Sequence, residues 1–352
     1  MAYTTIDDPS AYFQTALYTG TGSSLSITND GNSDLQPDLV WIKQRNGQGT
    51  DHQIVDSSRG NTKYLSSNSS AGEVTSSDRL TSFNSDGFTL GADASNVVNQ
   101  SGGYLYVGWQ WKCNGGTTST NSDGDINSTV QVNQDAGFTI VQYSPSDSTQ
   151  RTIGHGMGST PDIVWVRNRT KSEDTWFWHG AIGFSGALLN RDTTYNTNPL
   201  STGMQAVGAS TFTVGTNPVV NGNYPYIAYC WKEVQGFSKF GKYTGNGSSN
   251  GPFVYTGFKP AWIMMKRTDS TSSWVIVDAA RNPVNLPDNA MQRLWADLSN
   301  AESTNQPVDF FSNGFKYRST YTGFNTSGAT YIYMAFAENP FVTSTGIPTT
   351  AR

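Results

Sequence analysis

His52, His155 and His179 are the only histidines in the chain, and none has a Cys, Asp, Glu or second His at the short spacing of a zinc site. Gly154-His155-Gly156-Met157-Gly158 has the outline of an oxyanion-hole loop. That use requires a serine nucleophile elbow, and none is expected here. Asp123-Gly124-Asp125 could lend oxygens to calcium, but it lacks the repeating carboxylates and closing Glu of an EF-hand loop and reads as a solvated turn. Asp56 and Asp278 end equivalent stretches, with His179 at that place in a third. Glycoside hydrolysis needs two carboxyls across a cleft; the five Glu and scattered Asp nominate no such pair, so structural capping is the expected role. Cys113 and Cys230 are expected as free, partly buried thiols. No catalytic residue, metal ligand or cofactor is expected.

Aromatic side chains offer another chemistry. Ten Trp and 17 Tyr provide flat faces that stack on sugar rings where side-chain amides stand beside them. Trp176 and Trp178 alternate onto one face of a strand, as do Tyr104 and Tyr106. These four are the candidate contacts for a glycan or a protein partner.

Such residues need positioning, and the sequence supplies it three times. QPDLVWIKQR at 36–45, TPDIVWVRNR at 160–169 and KPAWIMMKRT at 259–268 are copies of one strand. Each copy follows a strand that begins near Phe13, Phe138 or Phe237. Each precedes an aromatic or aliphatic stretch (His52 to Asp56, Trp176 to His179, Trp274 to Asp278) and later an aromatic closing strand around Tyr106, Tyr226 or Tyr333. Asp86-Gly87 and Asn313-Gly314 suit type I′ hairpin turns. The copies lie roughly 100 residues or more apart, a domain-sized interval rather than the 20 to 50 of a solenoid.

This order predicts an all-β chain of three tandem β-sandwich or jelly-roll-like repeats, at 11–113, 135–233 and 236–339, with at most one or two short helices. Residues 1–10 and 340–352 read as arms, and the Gly-, Ser-, Thr- and Asn-rich stretch 114–134 as a linker. Glu233-Val234-Gln235 is too short to separate the second and third repeats, which should pack as one body. Met291, Leu294, Trp295 and Leu298, after Pro287-Asp288-Asn289, have helical spacing and predict a helix.

In the repeated strand, Ile163, Trp165, Arg167 and Arg169 share one face, and Val164, Val166 and Asn168 the other. The first expectation is a strand buried on both faces whose cationic end reaches solvent. The alternative makes Trp41, Trp165 and the cations beyond them a contact surface for a neighbouring repeat or subunit.

Charged residues are 14% of the chain and the net charge is −5, without the clustered Lys and Arg of a nucleic-acid surface. No opening segment reads as a signal peptide and no apolar run of about 18 residues could span a bilayer, so neither nucleic acid nor membrane insertion is expected.

The phrases DGDINSTVQVNQDAGFTIVQY (123–143), FGKYTGNGSSNGPFVYTGFKPAWIMMKR (240–267) and GATYIYMAFAENPF (328–341) resemble a repeat module of tailed-bacteriophage virion proteins, commonly attached to tail fibres and frequent in marine phages. The resemblance covers most of the chain. It implies a lectin-like sandwich fold, a place in the virion after synthesis in the host cytoplasm, and assembly with other virion proteins; it carries over no binding residues. Coiled-coil heptads and collagen-like repeats of a long fibre are missing from the sequence. The expectation is a virion structural protein, a tail-fibre or receptor-binding component that contacts host surface glycan, with a capsid decoration or connector protein as the alternative, and a homo-oligomer, with a trimer favoured.

Overall fold

The computed structural model describes the chain except residues 1, 48, 184–185, 195–201, 286–290, 305–307 and 350–352. The first repeat contributes β1 (Phe13–Thr19), β2 (Leu25–Ile27), β3 (Leu39–Gln44), β4 (Gln53–Asp56), β5 (Lys63–Tyr64), β6 (Val74–Thr75), β7 (Leu80–Phe83), β8 (Phe88–Leu90) and β9 (Leu105–Trp111). The second contributes β10 (Ser119–Asn121), β11 (Ser128–Asn133), β12 (Phe138–Tyr143), β13 (Arg151–Gly154), β14 (Ile163–Asn168), β15 (Trp176–His179), β16 (Gly186–Leu188), β17 (Met204–Val207), β18 (Thr211–Val214) and β19 (Tyr226–Trp231). In the third are β20 (Ser238–Thr244), β21 (Phe253–Tyr255), β22 (Phe258–Arg267), β23 (Val275–Asp278), β24 (Gln292–Trp295), β25 (Ser303–Thr304), β26 (Val308–Phe311), β27 (Gly314–Tyr317) and β28 (Thr330–Pro340). Among the described residues the single α-helix, α1, is the short Thr322–Asn325.

One strand order occurs three times. The inner sheets run β1-β9-β3-β4, β12-β19-β14-β15 and β20-β28-β22-β23, and the outer sheets run β2-β8-β7, β13-β18-β17 and β21-β27-β26. All the strand pairs are antiparallel, and the register matches from repeat to repeat: Trp41 stands opposite Trp109, Trp165 opposite Tyr229, and Met264 opposite Met334. The chain is all-β and sandwich-like.

Alternation along the repeated strand explains how the sheets are stacked. Val40 and Ile42 turn toward the outer sheet of their own repeat, where Phe88 meets them; Val164 and Val166 meet Phe212, and Ile263 and Met265 meet Phe315. These are three separate sandwich cores. Residues of the opposite face, Leu39, Trp41, Ile163, Trp165, Trp262 and Met264, converge in one cluster shared by all three repeats. Trp41 lies 5.5 Å from both Trp109 and Trp165, and Trp111 meets Trp262 edge-on at 5.7 Å and 90°. Edge-to-face geometry of this kind suits the aromatic quadrupole. The repeats therefore form one body around a common aromatic centre, with the outer sheets facing away from it.

Four expectations need correction. The cationic end of the repeated strand does not reach solvent: Lys43, Arg167 and Lys266 are buried between repeats, so the neighbouring-repeat alternative describes it. Part of the stretch expected as a linker, 114–134, forms β10 and β11, which extend the second inner sheet beyond β12 with Gln131 opposite Ile140. The helix expected around Met291 to Leu298 is strand β24, with Leu294 opposite Ile276 and Trp295 opposite Val275; Pro287 to Asn289 lie outside the described residues. Leu294 enters the common cluster while Trp295 packs against the third repeat's own core. Alternation between two cores overrode an apolar spacing that also fitted a helix. Finally, both predicted hairpins form, β7–β8 and β26–β27, but neither Asp86 nor Asn313 has the positive φ that a type I′ turn requires.

The amino-terminal arm is held by its own chain. Ile6 is buried in the common cluster, Thr4 Oγ1 donates to Gln235 O at 2.7 Å, and Asp7 accepts from Ser344 N at 2.6 Å. Cys113 and Cys230 are free and buried.

Candidate functional site

The acidic residues singled out at strand ends lie where one repeat meets the next. Asp56 Oδ1 accepts from Arg59 N at 2.8 Å and its Oδ2 pairs with Arg59 Nε, closing the turn after β4. Tyr229 of the second repeat donates to Asp56 Oδ2 at 2.7 Å. Glu73 then bridges Arg59 at 3.1 Å and the second repeat's Arg169 at 2.9 Å.

The third repeat builds the same group with other residues. Asp278 Oδ1 accepts from Arg281 N at 2.9 Å and Oδ2 pairs with Arg281 Nε at 2.7 Å. Trp109 Nε1 of the first repeat donates to Asp278 Oδ2 at 3.0 Å, and Glu302 bridges Arg281 and Arg45, each at 3.0 Å. In the second repeat His179 takes the Asp position and faces Tyr333 O of the third repeat at 3.1 Å. Second to first, first to third and third to second, the contacts close a ring.

A parallel ring comes from the repeated strand. Lys43 donates to Ser299 O at 2.9 Å, Arg167 to Ala71 O, and Lys266 approaches Asp192 O at 3.5 Å. Each cation crosses into the neighbouring repeat. Loss of water pushes Lys43 and Lys266 down to about 8 and Arg167 to about 10.

The histidines share one hydrogen-bonding pattern. Nδ1 of His52 accepts from Trp41 Nε1 at 2.7 Å, Nδ1 of His155 from Met157 N at 3.2 Å, and Nδ1 of His179 from Ala181 N at 3.1 Å. Each Nδ1 is thereby an acceptor, so Nε2 carries the proton and donates to a carbonyl, of Trp295, Gly208 and Tyr333 respectively. Burial is the main reason all three lie below the usual imidazole range, His179 at about 4. These rings are neutral connectors. Among the described residues no group of three His, Cys, Asp or Glu could hold a metal ion.

The spacing G-x-S-x-G does occur, at Gly247 to Gly251, in an exposed loop between β20 and β21. It joins two strands, not the strand and helix of a nucleophile elbow. Asp125 accepts from Thr152 N at 2.7 Å in an exposed turn.

Three of the four aromatic candidates are buried. Trp176 and Trp178 lie in the second repeat's sandwich core with Met204 and Phe212, and Tyr106 is buried in the first, stacked 5.1 Å from Tyr18. These three present no face to a ligand, because the surface to which they alternate is the one covered by the outer sheet. Tyr104 is half-buried.

Exposed aromatics occur instead on the outer sheet of the third repeat. Phe253 and Tyr255 are 46% and 53% exposed. Phe253 meets Phe311 at 5.9 Å, and the Tyr255 hydroxyl lies 3.1 Å from that of Tyr3. Their signal, aromatics at i and i+2 around buried Val254, is the same one that marks Trp176 and Trp178. Only the layer to which the strand belongs separates the two cases.

Residues 8–340 match the family described as a domain of unknown function, DUF7483. No curated protein and no solved structure matches the chain.

Proposed function

The chain belongs to the DUF7483 family, and we propose that it is a non-catalytic structural protein of a bacteriophage particle, a rigid connector or decoration that works through contacts with other virion proteins. The ring of inter-repeat contacts carries this reading. Asp56, Asp278, Glu73, Glu302 and the histidines are tied to partners in the chain's own interior. Groups held this way rigidify a body and hold its repeats in register. The resemblance of the phrases around 240–267 and 328–341 to a virion module supports that location. A trimer would suit a tail fibre, but one chain already sets three equivalent sandwiches around a common core, so a single copy could occupy a threefold position.

A second reading, contact with host surface glycan, rests on Phe253 and Tyr255, whose exposed rings lie near Lys316 and the Arg318–Asp309 pair at 2.7 Å.

Cryo-electron microscopy of purified particles, with antibody labelling against the folded chain, tests the first reading. Density at fixed stoichiometry on the head or tail is expected. Particles that lack the protein would end the proposal. Glycan-array binding that is lost in Tyr255→Ala would favour the second reading over the first.

A further inference from the structure

The three junctions between repeats are built alike, yet one is left open. At each, the first inner strand of one repeat faces the turn that follows the fourth inner strand of its neighbour. Those turns are Ser57-Ser58 after β4, Gly180–Ile182 after β15 and Ala279-Ala280 after β23.

Two of the junctions are filled by the chain itself. Where β12 faces Ser57-Ser58, strand β11 adds to the free edge of β12, and Gln131 Nε2 donates to Ser57 Oγ at 3.0 Å and Ser58 Oγ at 2.8 Å. The Asn114 to Gly116 turn lies beside it, with Gly116 N donating to both Asp38 and Gln131. Where β20 faces Gly180–Ile182, the turn packs directly on the strand and Ile182 lies against the common core.

At the third junction β1 faces Ala279-Ala280 across a cleft of about 410 Å³. Thr15 and Leu17 line one side and Ala261, Ala279, Ala280 and Ala337 the other; Gln14, Asp30 and the Lys259–Glu338 ion pair also line it. By register, Thr15 holds the place of Ile140 and Phe240, both buried in the common core. Ala261, Ala279 and Ala280 replace Asp38, Ser57 and Ser58, the polar groups that β11 and its turn satisfy.

Among the described residues the edge of β1 is unpaired, and it is correctly phased. Tyr12 O accepts from Lys112 N, and Gly20 N donates to Tyr104 O. Even-numbered backbone groups therefore point to β9, which leaves those of Thr15, Leu17 and Thr19 on the open side. Thr15 Oγ1 is shielded from solvent and has no hydrogen-bond partner among the described residues, and Leu17 is 42% exposed.

We propose that this cleft receives an extended arm of a different polypeptide, which adds antiparallel to β1 as β11 adds to β12. Strand addition supplies affinity through the main chain and selects through alternate side chains. The arm residue opposite Thr15 takes the place of Gln131. Ala261, Ala279 and Ala280 offer none of the hydrogen bonds that Asp38, Ser57 and Ser58 give to β11 and its turn, so an amide in the seat loses those partners and an apolar residue is favoured there. The proposal concerns a binding edge and stands whether or not the chain belongs to a virion.

The probe is a fluorescent peptide with the sequence of residues 127–134 carrying Gln131→Leu, tested on the full chain by anisotropy and by hydrogen exchange. Saturable binding with protection of the Thr15, Leu17 and Thr19 amides is expected, at least tenfold tighter than for the unaltered peptide. Leu17→Pro removes an edge N–H that the native sheet does not use, so the fold survives, and binding should fall by at least tenfold. Ala280→Leu, which fills the cleft, should do the same without touching the edge. Absence of protection on β1, or equal binding to wild type and Leu17→Pro, would overturn the proposal. A self-association abolished by Leu17→Pro would also overturn it, since the occupant would then be a second copy.

Discussion

Tyr229 Oη donates to Asp56 Oδ2 at 2.7 Å, joining the closing strand of the second repeat to the last inner strand of the first. Arg59 Nη2 reaches the same hydroxyl at 3.2 Å, so the phenol links both members of a fully buried ion pair. Removing it in Tyr229→Phe should cost about 1.5–3 kcal/mol, the range for a hydrogen bond to a charged group. Asp56→Ala should cost about 3–5 kcal/mol, because the buried Arg59 keeps as its counter-charge Glu73, which it shares with Arg169, and loses its closest partner. Chemical denaturation of the two variants measures both. Equal, negligible losses would mean that the junction is not held through this group.

Stability should fall on acidification between pH 6.5 and 4. His179 is depressed from its usual value to about 4 because burial disfavours its charged form, so the unfolded chain binds a proton that the folded chain refuses. The contribution is complete above pH 6.5 and lost as pH drops toward 4, about 3 kcal/mol for this ring. His52 and His155 are shifted in the same direction. Asp297 has the opposite sign: burial raises its carboxyl to about 6, and its contribution is full below about pH 4 and disappears as pH rises through 6. Burial raises the Asp162 carboxyl in the same direction as Asp297, so three histidines oppose two carboxyls. Thermal midpoints from pH 4 to 7 should therefore rise with pH, less steeply in His179→Gln and more steeply in Asp297→Asn.

The repeated strand was legible because its alternation is regular: Val164 and Val166 on one side and Ile163 and Trp165 on the other announced two buried faces. Sequence could not say that the second face is covered by two other copies of itself. That depends on contacts such as Trp41 with Trp165, between residues more than a hundred positions apart. Capping by Asp56 and Asp278 was readable from their place at strand ends, whereas their partners Tyr229 and Trp109 come from other repeats and leave no local trace. The stretch 114–134 misled because its Ser, Thr and Asn content suits a loop, while the pairing of β11 with β12 is a tertiary effect that outweighs weak strand propensity.

A common aromatic centre makes the three repeats one cooperative unit. Trp165→Ala removes a ring that packs on Trp41, Tyr229 and Trp231, and should cost about 3–5 kcal/mol. Unfolding should remain a single transition shifted to lower temperature, not a separate early melting of the second repeat. Calorimetry with the repeats expressed singly makes the same point: an isolated repeat exposes the Trp face and should fail to give a native-like transition. A stable single repeat would contradict the shared core.

The thiols provide a local reading of the same cooperativity. Cys230 is buried in the second repeat's core and Cys113 at the junction with the first, with its Sγ 3.1 Å from Gln131 O, and burial raises both thiols above their usual range. Thiolate, the reactive form, is therefore scarce as well as inaccessible. Neither should react with a disulfide reagent in the native protein, and both should become reactive together across the denaturation transition. Early labelling of Cys113 alone would show that the β11 junction opens before the rest.

The aromatics divide by layer, and substitution should separate them. Trp176 and Trp178 fill the second sandwich, so Trp176→Ala should lower stability by about 3–5 kcal/mol and affect any binding only through unfolding. Tyr255 is half exposed on an outer sheet, and Tyr255→Ala should change stability by no more than about 0.5 kcal/mol. Binding of the intact protein to host cells or envelope glycan, compared in the two variants at a temperature where both are folded, assigns recognition to one layer or the other. If the outer sheet of the third repeat is the contact, binding falls in Tyr255→Ala and Phe253→Ala and is retained in Trp176→Ala; the reverse order would return the contact to the second repeat.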